Sequence, residues 1–272
     1  MPFLTSRGAR LHYETLGSGP AVLLVHGITN HGLVWAGQIA DIIGAGHQAI
    51  LVDLAGHGMS DPAREKVTVS ELAADMINLL DHLGTKRTIV CGLSLGGLVA
   101  QIMAIEHPSR VSGLILANTC ADCTDPETVA AIDSWVELFE QPDGPVRRMQ
   151  AVWPMMLNEA FRVSPSGAAF FASWTRILKK VPGYSLANVA RGLREFTSVT
   201  RLTEVSVPTL VISSELDRLF PPEMCRKVSD LIAGSRFVLI EGGGHLSSLD
   251  SPTAFNEYVL DFLTSQVRVV YA

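Results

Sequence analysis

The residues best suited to chemistry surround Ser94. The stretch Gly92-Leu93-Ser94-Leu95-Gly96 fits the pattern G-x-S-x-G; it follows the apolar run "RTIVCG" and opens the apolar run "LGGLVAQIMAIEHP". A serine on a sharp turn between a strand and a helix needs small residues two positions before and after it, and the turn exposes its hydroxyl. Ser94 is therefore predicted to be a nucleophile. The alternative is a glycine-rich turn that performs no chemistry.

A serine hydroxyl needs a neighbouring base that accepts its proton. His245 follows a strand-like run and lies in the glycine-rich stretch "VLIEGGGHLSSLD". His57, in "AGHGMSD", is the main rival, and we interpret it as a loop residue that holds the local backbone. Histidine suits this role because its ordinary pKa lies near neutral pH. His245 is the predicted base.

A carboxylate must orient the histidine and stabilise its charged form. Asp217 follows a predicted strand in "VISSELDRLFPP", and Glu215 lies two residues before it. Asp122 and Asp125, which follow the run "GLILAN", are further candidates for this position. Asp217 is the preferred choice, because the resulting order of serine, aspartate and histidine along the chain is typical of a strand–turn–helix nucleophile site.

The oxyanion of an acyl-transfer intermediate needs two N–H donors. The backbone N–H of Leu95, directly after the serine, is one predicted donor, and that of Ile28, after the run "AVLLVHG", is the other. His26 and Gly27 are predicted to shape the loop that carries Ile28. The N-terminus of the helix after Ser94 would also favour negative charge.

The elements that position these residues alternate between strand-like and helix-like patterns. "ARLHYETLG" alternates like a half-buried strand, whereas the later strand candidates are continuous apolar runs typical of buried parallel strands: "AVLLVHG", "QAILVDLAG", "RTIVCG", "VSGLILAN", "VPTLVISS" and "SRFVLIEGGG". Between two of them, "SELAADMINLLDHLG" has helical spacing; Ser70 is predicted to cap this helix and Gly84 to end it. The alternation predicts an α/β fold, with a mostly parallel sheet and helices on both faces.

Residues 119–200 interrupt this alternation with four helix-like stretches and no strand-like one. We expect residues 1–118 and 201–272 to form the core and residues 119–200 to form an inserted helical cap, or lid. Large apolar side chains of the cap, together with one beside the predicted base, are expected to line a substrate pocket. These residues are Trp135, Trp153, Met155, Met156, Trp174 and Leu246.

Composition narrows the classes of partner. The net charge of −6 argues against nucleic acid, and no apolar run approaches the roughly 18 residues of a membrane span. The first residues lack the pattern of a signal peptide, so we expect a cytoplasmic protein. Cys120 and Cys123 form a lone C-x-x-C, with no second pair and no nearby histidines at the spacing of metal ligands. We therefore interpret the four cysteines as ordinary thiols and predict neither a metal nor a cofactor; the other two are Cys91 and Cys225.

The chain resembles the α/β-hydrolase fold enzymes over nearly its whole length. The motifs that carry the resemblance are His26-Gly27, "DLAGHGMSDP", "GLSLGG", "SELDRLFPP" and "GGGHLSSLDSP". The resemblance implies an eight-stranded sheet with an inserted cap. Ala55 departs from many relatives, which carry arginine before the GHG. "LANT" and "HLSSLD" are similar to stretches of the 3-oxoadipate enol-lactonase group. The serine at 94 is unlike the aspartate nucleophile of haloalkane dehalogenases and epoxide hydrolases, and Leu93 replaces the asparagine common in carbon–carbon hydrolases.

The predicted function is hydrolysis of a carboxylic ester or an (enol-)lactone of a small molecule, through an acyl-enzyme on Ser94. The alternatives are a carbon–carbon bond hydrolase or a cofactor-free perhydrolase or haloperoxidase with the same residues, and a non-catalytic small-molecule receptor. Residues 145–200 hold eight arginines and lysines against two glutamates, a net charge of +6, so the rest of the chain carries −12. This division would attract an anionic substrate, or it reflects only solvated helix faces. The sequence does not indicate an oligomeric state.

Overall fold

A computed structural model describes residues 2–270, with side chains up to residue 265. Eight strands form one sheet in the spatial order β1-β2-β4-β3-β5-β6-β7-β8, in which β1 and β2 pair antiparallel to their neighbours and the other pairs are parallel. The strands are β1 (Phe3–Ser6), β2 (Ala9–Leu16), β3 (Ala21–Val25), β4 (Gln48–Val52), β5 (Thr88–Leu93), β6 (Val111–Ala117), β7 (Thr209–Ser214) and β8 (Arg236–Ile240). The predicted α/β fold with an eight-stranded, mostly parallel sheet is confirmed.

Helices cover both faces of the sheet, which explains why the central strands are mainly apolar and fully buried. Every residue of β3, β5 and β7 is buried. The helices are α1 (Ala36–Gly44), α2 (Val69–His82), α3 (Leu95–Glu106), α4 (Pro126–Phe139), α5 (Gly144–Met156), α6 (Glu159–Arg162), α7 (Pro165–Leu178), α8 (Gly183–Leu193), α9 (Pro222–Leu231), α10 (Ser247–Asp250) and α11 (Pro252–Val270). Across residues 2–270, no helix is both long and apolar enough to cross a membrane.

The prediction that Ser70 caps α2 is wrong. Thr68 is the N-cap residue, and its hydroxyl oxygen accepts a hydrogen bond from the Glu71 N–H at 3.2 Å. The Glu71 carboxylate in turn accepts one from the Thr68 N–H at 2.8 Å. This reciprocal pair satisfies two amides at once and starts the helix earlier, so Ser70 lies within the first turn.

A block of helices, α4 to α8, lies between β6 and β7, and α4 packs along α8. The two segments that connect the block to the sheet pair with each other. Asp122 and Thr197 form an isolated bridge, and the Cys123 N–H donates to the Phe196 carbonyl at 2.9 Å. The sequence pattern did not indicate this pairing or the short helix α6. We propose that residues 119–200 form a separate cap.

Candidate active site

Ser94 occupies the turn between β5 and α3 in a backbone conformation that few residues adopt. Its φ is 57° and its ψ is −120°. A Cβ on Gly92 would lie 2.1 Å from the Gly96 carbonyl oxygen, and a Cβ on Gly96 would lie 2.0 Å from the Val25 carbonyl oxygen. Side chains at these two positions would therefore collide with the backbone. Local strain of this kind is held by surrounding structure and is concentrated at functional sites.

A cavity of about 40 Å³ lies beside this turn, between the sheet and the inserted helices. Its wall is mainly apolar, and Ser94 and His245 are both part of it. The lining residues are Gly27, Ile28, Asn30, Leu93, Ser94, Leu95, Leu98, Cys123, Thr128, Ile132, Trp135, Arg148, Met156, Leu193, Leu219, Phe220, His245 and Leu246.

His245 and Asp217 form a buried hydrogen-bonded pair. The distance from His245 Nδ1 to Asp217 Oδ2 is 2.8 Å, and neither residue is more than 3% exposed. The other carboxylate oxygen, Oδ1, accepts the N–H groups of Leu219 and Phe220, both at 2.9 Å. Because His245 Nδ1 is hydrogen-bonded to Asp217, Nε2 is the ring nitrogen that can accept a proton from a group in the cavity. The Phe220 ring packs edge-on against the imidazole with centroids 5.4 Å apart.

Asn118 is a residue of this site that the sequence reasoning missed. Its amide Nδ2 donates to Asp217 Oδ2 at 3.1 Å and to Ser214 Oγ at 3.0 Å, and its Oδ1 accepts from Ser247 Oγ at 2.7 Å. It follows β6 with a φ of 45°, a left-handed conformation that asparagine tolerates better than most residues. Asn118 therefore joins the ends of three chain segments and fixes the carboxylate. The sequence feature that could have indicated this role is an asparagine directly after a buried strand.

The rival acids have structural partners elsewhere. Glu215 accepts the Gly242 N–H at 2.8 Å. Asp122 accepts both the N–H and the hydroxyl of Thr124, at 3.0 and 2.8 Å. Asp125 caps α4 by accepting the Thr128 N–H at 2.9 Å. Of the four candidate carboxylates, Asp217 is the one that is hydrogen-bonded to His245.

The two residues predicted to supply oxyanion donors, Leu95 and Ile28, both line the cavity. Leu95 is the first residue of α3, and the first amides of a helix have no intrahelical acceptor. Ile28 lies in the loop after β3, where the next residue, Thr29, has a φ of 68°. Trp174 Nε1 donates to the Thr29 carbonyl at 2.7 Å, so a helix of the inserted block braces this loop. The amide of Ile28 donates to no acceptor within the described residues.

His26 and His57 form a buried pair behind the Ile28 loop. Their rings make an edge contact with centroids 5.1 Å apart. His26 Nδ1 donates to the Gly27 carbonyl at 2.8 Å, and its Nε2 accepts the Leu54 N–H at 3.0 Å. Burial lowers the pKa of each histidine to about 3, so both are neutral at pH 7. His57 Nδ1 lies 3.1 Å from the Ala55 carbonyl oxygen, a contact that agrees with a role in holding the local backbone.

The predicted lining residues divide into two groups. Trp135, Met156 and Leu246 belong to the cavity wall. Trp153, Met155 and Trp174 do not, so that part of the prediction is corrected; the two tryptophans pack with other aromatic rings, and the methionine is partly exposed. Trp153 and Trp174 pack into an aromatic cluster with Phe170 and Phe171, whereas Met155 is 37% exposed.

Hydrogen bonds tie the inserted block to the loop that carries His245. The Leu246 N–H donates to the Met156 carbonyl at 3.1 Å. Asp250 Oδ2 accepts the N–H groups of Asn158 and Gly244, at 2.8 and 2.9 Å. Burial raises the pKa of the Asp250 carboxyl above its ordinary value. A movement of helix α5 would therefore be transmitted directly to the residues beside the imidazole.

The four cysteines are buried, and none forms a disulfide. Cys120 and Cys123 lie with their sulfurs 3.6 Å apart, and burial raises the pKa of the Cys91 and Cys225 thiols. In the part of the chain that the structure describes, no three His, Cys, Asp or Glu side chains are grouped to hold a metal ion.

Comparison with known proteins places this geometry in a family. Residues 22–258 match the alpha/beta hydrolase family. A protein of Variovorax paradoxus, provisionally named a carbamate hydrolase, is 30% identical over 93% of this chain and 96% of its own length. A 3-oxoadipate enol-lactonase of Acinetobacter baylyi is 28% identical over 94% of each chain. The structure of an esterase from Thermogutta terrifontis with bound malate is 29% identical, with a TM-score of 0.88 over 97% of each chain. The chain belongs to the alpha/beta hydrolase family and is a hydrolase.

Proposed function

We propose that the protein is a serine hydrolase that cleaves a carboxylic ester or lactone of a small molecule through an acyl-enzyme on Ser94. The observation that supports this most strongly is that His245, which is paired with Asp217, lines the same cavity as Ser94. A strained serine, a histidine and a buried carboxylate form the set of groups that activates a hydroxyl nucleophile.

In the proposed reaction, Ser94 Oγ attacks the carbonyl carbon while His245 Nε2 accepts the hydroxyl proton. Asp217 holds the Nδ1–H and stabilises the imidazolium that forms. The backbone N–H groups of Leu95 and Ile28 are the proposed donors to the oxyanion. The imidazolium then protonates the leaving alcohol or enol oxygen as the carbon–oxygen bond breaks. A water molecule then gives a proton to His245 and attacks the acyl-enzyme. The bond between the acyl carbon and Ser94 Oγ breaks, the acid product leaves, and the imidazolium returns its proton to Ser94 Oγ.

The substrate is proposed to be small and anionic. Among the structural relatives, the Thermogutta terrifontis esterase was solved with malate, which is a dicarboxylate. The enol-lactonase from Burkholderia xenovorans, 26% identical with a TM-score of 0.87, acts on a lactone by its name. The +6 of residues 145–200 does not by itself attract an anion, because residues 119–144 of the same inserted block hold seven carboxylates and no lysine or arginine, which leaves the block at −1. Two of the arginines pair with these carboxylates, Arg191 with Glu140 and Arg194 with Asp133.

The assignment of the acid is tested by two matched aspartate-to-asparagine changes. Asp217→Asn should lower kcat for a p-nitrophenyl ester by about 10⁴-fold, because the imidazole loses the partner that fixes its tautomer. Asp122→Asn is the control; it removes a carboxylate whose hydrogen bonds are to Thr124, and kcat should stay within about twofold. A severe loss in Asp122→Asn, with little in Asp217→Asn, would refute the assignment.

Product analysis separates the proposed reaction from its alternatives. An enol-lactone and a dienoate with a cleavable carbon–carbon bond are each incubated with the protein. The proposal expects the lactone to open and the dienoate to persist. Cleavage of the dienoate alone would favour a carbon–carbon hydrolase. A separate incubation with peroxide and halide would favour a perhydrolase or haloperoxidase if a halogenated product formed. Binding of the lactone without turnover of it or of any p-nitrophenyl ester would favour a receptor.

A further inference from the structure

Arg148 on α5 is a buried cation that has no acidic partner. Its side chain belongs to the wall of the cavity beside Ser94, and only 2% of the residue is exposed. Its Nε and Nη1 atoms have no hydrogen-bond acceptor. Among the carboxylates of residues 2–265, none lies within 4.0 Å of it. Burial lowers the pKa of the guanidinium to about 10, which leaves it charged at pH 7.

Two aromatic rings hold this guanidinium in place. Its central carbon lies 4.2 Å from the centroid of the Trp135 ring and 5.4 Å from that of the Phe139 ring. The attraction between a cation and an aromatic face offsets part of the cost of burial and restricts the orientation of the planar group. This attraction does not satisfy the N–H donors of the guanidinium, which lie in the plane of the group. The side chain is therefore fixed in position while its directional hydrogen-bonding capacity is unused.

Other arginines of the inserted block show the usual alternative. Arg191 Nη2 lies 2.5 Å from Glu140 Oε1, and Arg194 Nη1 lies 3.2 Å from Asp133 Oδ1. The side chains of both pairs are half-exposed. Arg148 differs from them in its burial, in the missing carboxylate and in its place beside Ser94. A buried charge is costly unless it is paired, and a charge retained without a partner in a pocket wall indicates that a ligand supplies the partner.

We propose that Arg148 binds a carboxylate of the substrate, so that the preferred substrate is an ester or lactone that carries a second, free carboxylate group. This inference rests on the proposed function of Ser94. The planar guanidinium matches a carboxylate through two parallel hydrogen bonds, and the contact is strengthened by the low dielectric of a mainly apolar cavity. Trp135 and Phe139 position the cation, and the reacting ester group lies toward Ser94.

Two esters of equal chain length test this proposal: the mono-p-nitrophenyl ester of glutarate, which is anionic, and p-nitrophenyl valerate, which is neutral. The wild-type protein should have the higher kcat/KM for the glutarate ester. Arg148→Met should lower kcat/KM for that ester by about 10- to 150-fold, the range expected for a lost hydrogen bond to a charged group. The valerate ester should change by less than about threefold, and Arg148→Lys should restore part of the loss.

Arg147→Met is the matched control, because Arg147 is the preceding residue of the same helix and is exposed. It should leave the ratio of kcat/KM for the two esters at the wild-type value. Absence of a preference for the anion in the wild-type protein would overturn the proposal. So would an equal loss for both esters in Arg148→Met, since a structural role would affect them alike.

A binding measurement separates failure of this proposal from failure of the proposed function. Ser94→Ala protein is titrated calorimetrically with monomethyl glutarate, with and without the additional change Arg148→Met. Binding that weakens by at least about tenfold in the double variant supports the role of Arg148, even if Ser94 is not the nucleophile. Equal binding by both proteins would overturn it. The melting temperature of Arg148→Met should equal or exceed that of the wild type, whereas a structural role would lower it.

Discussion

The buried pair His26–His57 should make the protein sensitive to acid, and His57→Gln should relieve part of that sensitivity. Both histidines have a pKa of about 3 in the folded protein, against 6.5 when exposed. A lowered pKa means that the unfolded chain binds the proton more readily than the folded protein does. The stabilising contribution is therefore complete above pH 6.5 and is lost as the pH falls from 6.5 toward 3.

The size of the effect follows from the difference in pKa. Each pH unit below 6.5 costs about 1.4 kcal/mol for each histidine that stays neutral in the folded state. At pH 5.0 this amounts to about 2 kcal/mol for one histidine and about 4 kcal/mol for the pair. Typical domains have only about 5 to 15 kcal/mol of stability, so the loss would be a large share of the total.

The assay is urea unfolding of the wild type and His57→Gln between pH 8.0 and pH 5.0. At pH 8.0 both histidines are neutral in both states, so the difference between the proteins there reports only the lost packing. Relative to that baseline, the variant should lose about 2 kcal/mol less than the wild type on going to pH 5.0. Two curves that stay parallel over this range would refute the reasoning, since they would show that His57 takes up no additional proton on unfolding.

Two further changes probe the positioning of the site. Asn118→Gly permits the positive φ but removes the hydrogen-bond donor to Asp217 Oδ2. The kcat should therefore fall by about tenfold with little change in KM. A purely structural role would leave the kcat of the folded fraction unchanged. Met156→Ala removes a buried side chain from the cavity wall, so the ratio of kcat/KM for p-nitrophenyl octanoate over p-nitrophenyl acetate should rise by about threefold or more. An unchanged ratio would show that Met156 does not limit the length of the acyl chain.

The elements that carry the site could be predicted because their patterns are strong and local. Ser94, Asp217 and His245 each follow a parallel strand, and parallel strands end at the same edge of a sheet. The glycines two residues before and after Ser94 have a steric reason that is visible in the sequence alone. The contact between His245 and Asp217 agrees with the prediction, whereas their catalytic roles stay predictions.

The interior of the inserted block could not be predicted in the same way. Helical periodicity does not say which apolar face meets the sheet, so Trp153 and Trp174 were expected in the cavity wall although they pack with other aromatic rings. Arg148 was one of eight cations counted over residues 145–200 and was not singled out, because helical periodicity does not show which arginine is buried. Asn118 escaped notice since its role depends on three segments that meet only in the folded chain.

Covalent labelling tests most directly the claim that Ser94 is the nucleophile. The protein is treated with a fluorophosphonate probe, and the modified residue is located by mass spectrometry of the intact protein and its peptides. The account predicts one adduct, on Ser94, that is absent from Ser94→Ala, and a fall in kcat of about 10⁶-fold for that variant on an ester that the wild type hydrolyses. An adduct on another residue, or an alanine variant that keeps its activity, would contradict the account.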